Sequence, residues 1–472
     1  MPHAQQRSRH CALGVVATVL FGSARVFGGT NTVGVWHSSP DSALTLAKRE
    51  SLSLVAATAS PVPTIRLNSA RRFQSMIGFG ASLTDASAHI LLHRMSVAQR
   101  DALLDDLFGV QGIHFGILRL TIGSCDLWAS EYSYDDVPKG QTDPSLSHFS
   151  LARAESDIVP LVRMALARNP DLKLIATPWS APGWMKSSGS MLGGTLKNEN
   201  YNVYSTYLTR YLQEMRAAGI KIDYLTVQNE PNFTPPDYPG MVMTAAMRTR
   251  FVTQYLAPKL RQAALDTKIL DNDHNWNAGS WSTDLLGNEN LRDVVRGVAW
   301  HCYGGNVSEQ SRIHAAFPDK DTLITECTAR LTDRWSGTLG WDMTNLLIGG
   351  TRNWARAVMM WNLVLDERGG PHLGACKNCR GVITVDSRTG DATREPEYFT
   401  FSHLSHFLQS GAQRIASNSL DHLIDVAFQN PDGTFVLLVY NDSAEPKLFR
   451  VLETQREFSY KLPAKSAATF LW

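Results

Sequence analysis

From Ser75 onward the chain alternates short apolar runs with longer amphipathic stretches, and the alternation occurs eight times. The runs are "SMIGFGAS", "ILRLTIGS", "LKLIATPW", "YLTVQNEP", "KILDNDHN", "GVAWHCYG", "LITECTA" and "MMWNLVLD". A strand that is apolar on both faces must be covered on both, which is the situation of a parallel sheet wrapped by helices. The stretches between the runs carry helix signals. Ser96 followed by Gln99 makes a capping-box pattern before "ALLDDLFG", and Gly109 stands where that helix should stop. Tyr201, Tyr204, Leu208, Tyr211 and Met215 recur at helical spacing, with Gly219 behind them. Eight such units over residues 75–410 predict an α/β fold of the (β/α)8 TIM-barrel type. A doubly wound open sheet is the alternative, but no G-x-G-x-x-G or P-loop pattern supports it. The fifth run is the weakest strand, because its second half is polar.

The flanks read differently. "TNTVGVWHSS" and "TIRLNSARRFQ" fall within residues 28–74, and "LIDVAF", "TFVLLVY", "KLFRVLE" and "AATFLW" within 411–472. These are short alternating segments separated by turn signals such as "NPDG", and they predict an antiparallel β-sandwich side domain built from both chain ends. Residues 1–27 begin with Arg7 and Arg9, continue through an apolar stretch from Cys11 to Phe21, and reach small residues at Gly22 and Ala24. That order is the order of a signal peptide and predicts a secreted or periplasmic protein. No apolar run is long enough to span a bilayer, so stable membrane insertion is not expected. Lys and Arg number 45 against 44 Asp and Glu, which leaves no field for nucleic acid.

Removal of the leader would take Cys11 and leave five cysteines. Cys376 and Cys379 form a C-x-x-C pair, read in an exported protein as a small disulfide loop; a zinc site would need two more ligands, and only His372 is near. Cys125, Cys302 and Cys327 lie beside strand-like runs and are expected to be buried small hydrophobes.

In parallel barrels the side chains at the C-terminal strand ends converge on one mouth. Glu230 ends the fourth run and Glu326 the seventh. Asp126 follows the second, Trp179 closes the third, His301 and Tyr303 belong to the sixth, and Trp361 and Asn362 to the eighth. Taken singly, each has a plainer reading: helix cap, ion pair, structural histidine or packing. Gathered in one cup, two carboxylates among Trp and Tyr rings suit the splitting of a glycosidic bond, one acid protonating the leaving oxygen while the other attacks the anomeric carbon. Indole faces suit the C–H faces of a sugar. Two readings compete. A non-catalytic carbohydrate-binding protein would have lost one of the two carboxylates. A metal-dependent hydrolase would use Asp271, Asp273 and His274. The favoured reading needs no metal and no cofactor.

The motifs "LTVQNEP", "LITE", "TPWSAPGWMK", "LTIGSCDLW", "AWHCYGG" and "MWNLVLDERGGP" resemble those of the glucosylceramidase family, glycoside hydrolase family thirty. The resemblance runs from about Val33 to Trp472 and implies a (β/α)8 barrel with a side β domain and a β-glycosidase that retains configuration. It implies Glu230 as acid/base and Glu326 as nucleophile. Asn229 would bind the sugar 2-hydroxyl, Asp126 and Trp179 the distal hydroxyls of a glucose, and Tyr303 the nucleophile. His301 and Trp361 would line the floor, and Asn378 in "CKNCRG" would be a further sugar contact. The negative charge of Glu326 is expected to keep the Glu230 proton in place, with the two carboxyl groups roughly 5–5.5 Å apart. The substrate implied is a β-linked glucoside, glycolipid or glucan: glucosylceramide first, with a β-1,6-glucan or a β-xyloside as alternatives. Asp126 and Trp179 favour glucose over xylose, which lacks the hydroxymethyl group they would reach.

Overall fold

Eight parallel strands close on one another in chain order: Gly78–Leu83, Ile117–Ile122, Lys173–Pro178, Tyr224–Thr226, Lys268–Asn275, Val295–His301, Asp321–Glu326 and Ala355–Met360. This computed structural model describes residues 31–374 and 376–472; the leader-like segment at 1–27 lies outside the described residues. Seven strands fall on the runs, the polar fifth included; the eighth, Ala355–Met360, overlaps "MMWNLVLD" only at Met359 and Met360, and Val364–Asp366 joins a separate small sheet. The fifth strand tolerates its polar half because most of its charge and donors are engaged, Asp271 by Arg248 at 2.7 Å and the Asn272 amide by the Ala299 carbonyl at 3.1 Å, although Asp271 Oδ2 and Asn272 Oδ1 are buried without a partner among the described residues. The first and second strands approach so closely at Gly80 that any Cβ there would sit 1.7 Å from the Ile117 oxygen.

The barrel interior is filled in layers, because inward-facing residues recur every second position. The lower layer is apolar: Ile117, Ile175, Tyr224, Leu270, Ala299, Leu323, Ala357 and Met359. Two residues further along their strands stand Arg119, Thr177, Thr226 and Thr325, all buried. The step from an apolar to a polar layer occurs just below the mouth.

The helices follow their sequence signals. Ser96 Oγ accepts from the Gln99 N–H at 3.2 Å and Gln99 Oε1 from the Ser96 N–H at 3.0 Å, opening the helix Val97–Phe108. Gly109 ends it with an ordinary φ of −71°, so no left-handed turn is involved. In Tyr201–Ala217 the five predicted inward positions are all buried. Among the described residues no helix is long and apolar enough to cross a membrane.

Both chain ends join one ten-stranded sheet that encloses its own core, including Val33, Val35, Ile65, Phe449 and Phe470. Its pairs are antiparallel except one, Lys447–Glu453 beside Thr64–Ser75. The strand Ala47–Ser53, not anticipated from the sequence, is almost wholly exposed on the edge, so it lacks an alternating apolar face. The sheet is locked to the barrel by His403 on the helix Pro396–Ser405: Nδ1 stands 2.8 Å from Thr469 Oγ1 and Nε2 2.8 Å from Ser38 Oγ.

Candidate active site

Arg119 is the centre of the mouth. It sits in the middle of the second strand, fully buried, where its neighbours are Ile117, Leu118 and Leu120. Its guanidinium spends its donors in several directions: on Thr177 Oγ1 at 3.2 Å, Glu326 Oε2 at 2.5 Å, Asn229 Oδ1 at 2.9 Å and Asp273 Oδ2 at 3.0 Å. The same group lies 4.8 Å from the Trp179 ring and 5.5 Å from the Trp361 ring. Those two indoles stack on each other at 4.8 Å and 22°. One buried cation thus orients two carboxylates, an amide and two aromatic rings, each from a different strand or the segment just after it.

Two register shifts aim the acids. Between the fifth and sixth strands the pairing jumps from Ala299↔Asn272 to Trp300↔His274, leaving Asp273 as an extra residue. Between the sixth and seventh it jumps from Trp300↔Ile324 to His301↔Glu326, leaving Thr325 extra. Such bulges re-aim side chains next to functional sites. Asp273 turns inward, where Thr226 and Thr325 donate to it at 2.7 Å each. Burial alone would raise its carboxyl, but the Arg119 charge and the bond from His301 hold it well below the usual range. Left-handed φ values at Glu230 (43°), Asn272 (73°) and Asp273 (44°) cluster at these strand ends.

Glu230 and Glu326 meet across the mouth, as the strand-end argument required. One carboxylate oxygen of each, together with a ring nitrogen of His301, lie within 4.8 Å of one another. Glu326 is 6 % exposed, and Tyr303 Oη donates to its Oε1 at 2.9 Å. The Tyr303 ring itself remains 44 % exposed at the rim. Asn229 gives its oxygen to Arg119, which fixes the amide and leaves its NH2 group without a partner among the described residues. Asp126 is buried in the same cup; burial and the Glu326 charge push its carboxyl up to about 7, against a hydrogen bond from Trp361.

His301 differs from the floor residue the resemblance implied. Nδ1 lies 3.0 Å from Glu230 Oε1 and 3.6 Å from Glu326 Oε1, and Nε2 lies 3.2 Å from Asp273 Oδ1. Burial works against its imidazolium, but the Glu326 charge and the bonds to Asp273 and Glu230 raise it to about 10. The bond and charge of His301 in turn outweigh burial at Glu230 and hold that carboxyl below its ordinary value. Around Glu230 the His301 charge and hydrogen bond thus act against the effect expected of Glu326.

Several other expectations meet their outcome here. Asn378 lies exposed in the loop before Cys379, its backbone oxygen accepting from the Leu331 N–H at 2.8 Å, and among the described residues no hydrogen bond joins it to Glu230 or Glu326. Cys302 and Cys327 are not isolated hydrophobes: they form a disulfide, Cα–Cα 5.3 Å, because the His301↔Glu326 pairing sets the next residues opposite each other. Cys376 and Cys379 are also paired, and Cys125 is free and buried. Of the suggested metal ligands, Asp271 is committed to Arg248 and Asp273 to Arg119. Arg119 was missed as a site residue, and Asp273 was considered only as a metal ligand. The signal was an arginine inside an otherwise apolar parallel strand, which burial makes costly unless its charge is used.

Comparison with known proteins agrees with this geometry. The sequence model of the glycosyl hydrolase family 30 TIM-barrel domain matches residues 76–408, and that of the family 30 β-sandwich domain matches 411–470. An endo-1,6-β-D-glucanase of Aspergillus fumigatus is 31% identical over 426 residues, covering 84% of this chain and 85% of that protein. The lysosomal acid glucosylceramidase of Mus musculus is 29% identical over 459 residues, covering 90% of this chain and 87% of that protein. The solved structure of an endo-β1,6-glucanase superposes with a TM-score of 0.85 at 31% identity, covering 94% of this chain and 99% of that one.

Proposed function

The chain belongs to glycoside hydrolase family 30, and from that premise we propose that it hydrolyses β-1,6-linked glucan by double displacement with retention of configuration. The observation that carries the mechanism is the approach of Glu230 and Glu326 to within 4.8 Å, oxygen to oxygen, with His301 between them. A retaining site holds its carboxyl groups about 5–5.5 Å apart, whereas an inverting site needs about 6.5–9.5 Å to admit a water.

Glu326, held by Arg119 and Tyr303, attacks the anomeric carbon. The glycosidic oxygen leaves with a proton from Glu230, which that residue draws along its 3.0 Å hydrogen bond from His301. Formation of the glycosyl ester removes the Glu326 charge. The Glu230–His301 pair then accepts a proton from water, and the hydroxide attacks the ester. Asn229 offers its free amide to the 2-hydroxyl. Asp126 and the Trp179–Trp361 stack receive the distal face of the glucose.

The glucan is placed ahead of glucosylceramide because relatives named as endo-1,6-β-glucanases match at slightly higher identity than the mouse glucosylceramidase. The wide cover of that second relative keeps glucosylceramide as the second reading. The paired cysteines support a location outside the cytoplasm, in keeping with the leader-like start. The test is product chromatography after incubation with pustulan, gentio-oligosaccharides, glucosylceramide and aryl β-xylosides. Release of gentio-oligosaccharides from pustulan is expected. Hydrolysis of glucosylceramide with pustulan untouched would overturn the glucan assignment.

A further inference from the structure

A cavity of about 440 Å³ opens beside the nucleophile and is absorbed by none of the roles above. Its lining comes from the segments that follow the sixth, seventh and eighth barrel strands, so it belongs to the mouth face. It begins at Tyr303 and the Cys302–Cys327 disulfide and runs to Trp341 on the helix Trp335–Trp341. Its volume lies within the range of about 300–1,000 Å³ usual for ligand sites.

Three observations define what would fit. Both terminal rings are open: Tyr303 is 44 % and Trp341 41 % exposed, unusual for residues of that size. Arg330 and Arg334 also line the cavity, and neither guanidinium has a side-chain partner among the described residues. Asp333 and Thr338 add polar groups along the wall. Flat apolar faces alternating with unspent donors suit a ring that carries hydroxyls; an acyl chain would leave those charges desolvated and unpaired.

The ring order supplies the direction. In a closed barrel of eight strands in chain order, the second and the sixth stand opposite each other. Asp126 follows the second and Tyr303 the sixth. If Asp126 holds the far end of the bound glucose, its anomeric carbon faces the fourth to seventh strands, where Glu230 and Glu326 are. The leaving group then departs toward Tyr303, and the methylene of a 1,6-linkage adds a rotatable bond with which to follow the wall.

We propose that the cavity between Tyr303 and Trp341 is a subsite for a glucosyl residue on the leaving-group side, stacked on Trp341 and bonded by Arg330 and Arg334. This rests on the reading of the protein as a glucan hydrolase. It makes that reading sharper, because the recognised leaving group is a sugar and not a lipid.

The test compares gentiotetraose, which reaches the subsite, with an aryl β-glucoside, which has no second sugar. In Trp341→Ala the ratio of kcat/KM for gentiotetraose to that for the aryl glucoside should fall about tenfold, and Trp341→Phe should restore most of it. Melting curves of the two variants show whether each is folded. An unchanged ratio in folded Trp341→Ala would overturn the subsite while leaving the glucan reading intact. An equal loss on glucosylceramide would overturn it in favour of a lipid site. Wild-type protein without action on gentio-oligosaccharides or pustulan would overturn the glucan reading, and the subsite with it.

Discussion

Nδ1 of His301 lies 3.0 Å from Oε1 of Glu230, so the two residues hold their proton as one unit. The imidazolium is raised to about 10 while the carboxyl is held below its ordinary value. Their titration therefore belongs to the pair.

Replacing His301 by Asn removes the proton store. Glu230 must then keep its own proton, and it loses that proton as pH rises through its own pKa, below the upper step of the pair. The alkaline limb of kcat/KM should move to lower pH than in the wild type, with kcat reduced about a hundredfold. A pH–rate profile from pH 4 to 9 on an aryl β-glucoside reads both effects. An alkaline limb that stays in place would show that Glu230 holds the proton unaided.

The two carboxylates should separate by the anomer that azide rescue produces. Glu326→Ala should lose about four orders of magnitude or more in kcat, and added azide should yield the α-glucosyl azide by direct displacement. Glu230→Ala should retain the first step on substrates with good leaving groups, and azide should yield the β-glucosyl azide from the intact ester. NMR of the products distinguishes the two. The same anomer from both variants would remove the assignment of roles.

The contribution of the buried carboxyls to stability should fall as pH rises. Asp85, the first residue of the helix Asp85–His93, is raised from 3.8 to about 6 by burial, although Tyr132 donates to both its oxygens at 2.9 and 3.1 Å. A carboxyl whose folded pKa is raised favours the fold while protonated, fully below its unfolded value, and loses that contribution as pH climbs through the folded value. The rise at Asp85 corresponds to ~3 kcal/mol, and Asp126, raised to about 7, acts in the same direction. Between pH 4 and pH 6 the wild type should lose melting temperature relative to Asp85→Asn, which isolates this group from histidines such as His403 that titrate in the opposite sense.

His403 joins the two parts of the molecule through Ser38 and Thr469. Burial lowers its imidazole to about 3, so it acts as a neutral hydrogen-bonding group. His403→Leu removes both ring bonds, while Thr469 Oγ1 still donates to the backbone carbonyl at 403 and Ser38 Oγ still accepts from the Leu46 N–H, so it should cost about 1–2 kcal/mol in denaturant unfolding. Activity per folded molecule should stay the same. A large loss of kcat in folded protein would show that the sheet positions the mouth.

The proposed chemistry uses only protein groups. Prolonged treatment with EDTA followed by gel filtration should leave kcat within about twofold of the untreated enzyme. A loss restored by one divalent cation would return the Asp271–Asp273–His274 reading.

Much of this architecture was legible in the chain. Period and length of the apolar runs announced eight parallel strands, since such strands must be apolar on both sides. The Ser96 capping box and the tyrosine stripe from Tyr201 to Tyr211 placed helices correctly because their causes are local. The exposed edge strand Ala47–Ser53 was missed because it has no buried face to impose alternation.

Glu230 and Glu326 were singled out by their place at the ends of two apolar runs, because a parallel barrel delivers the C-terminal ends of its strands to one mouth; Glu230 itself stands four residues past the strand Tyr224–Thr226. Tertiary structure decided what those acids experience. Arg119 reaching four partners, the bulges that turn Asp273 and Thr325, the Cys302–Cys327 bond and the placing of His301 between Glu230 and Asp273 all depend on the register between strands distant in the chain. Register and the local electric field are set by many residues at once, and a linear pattern carries neither.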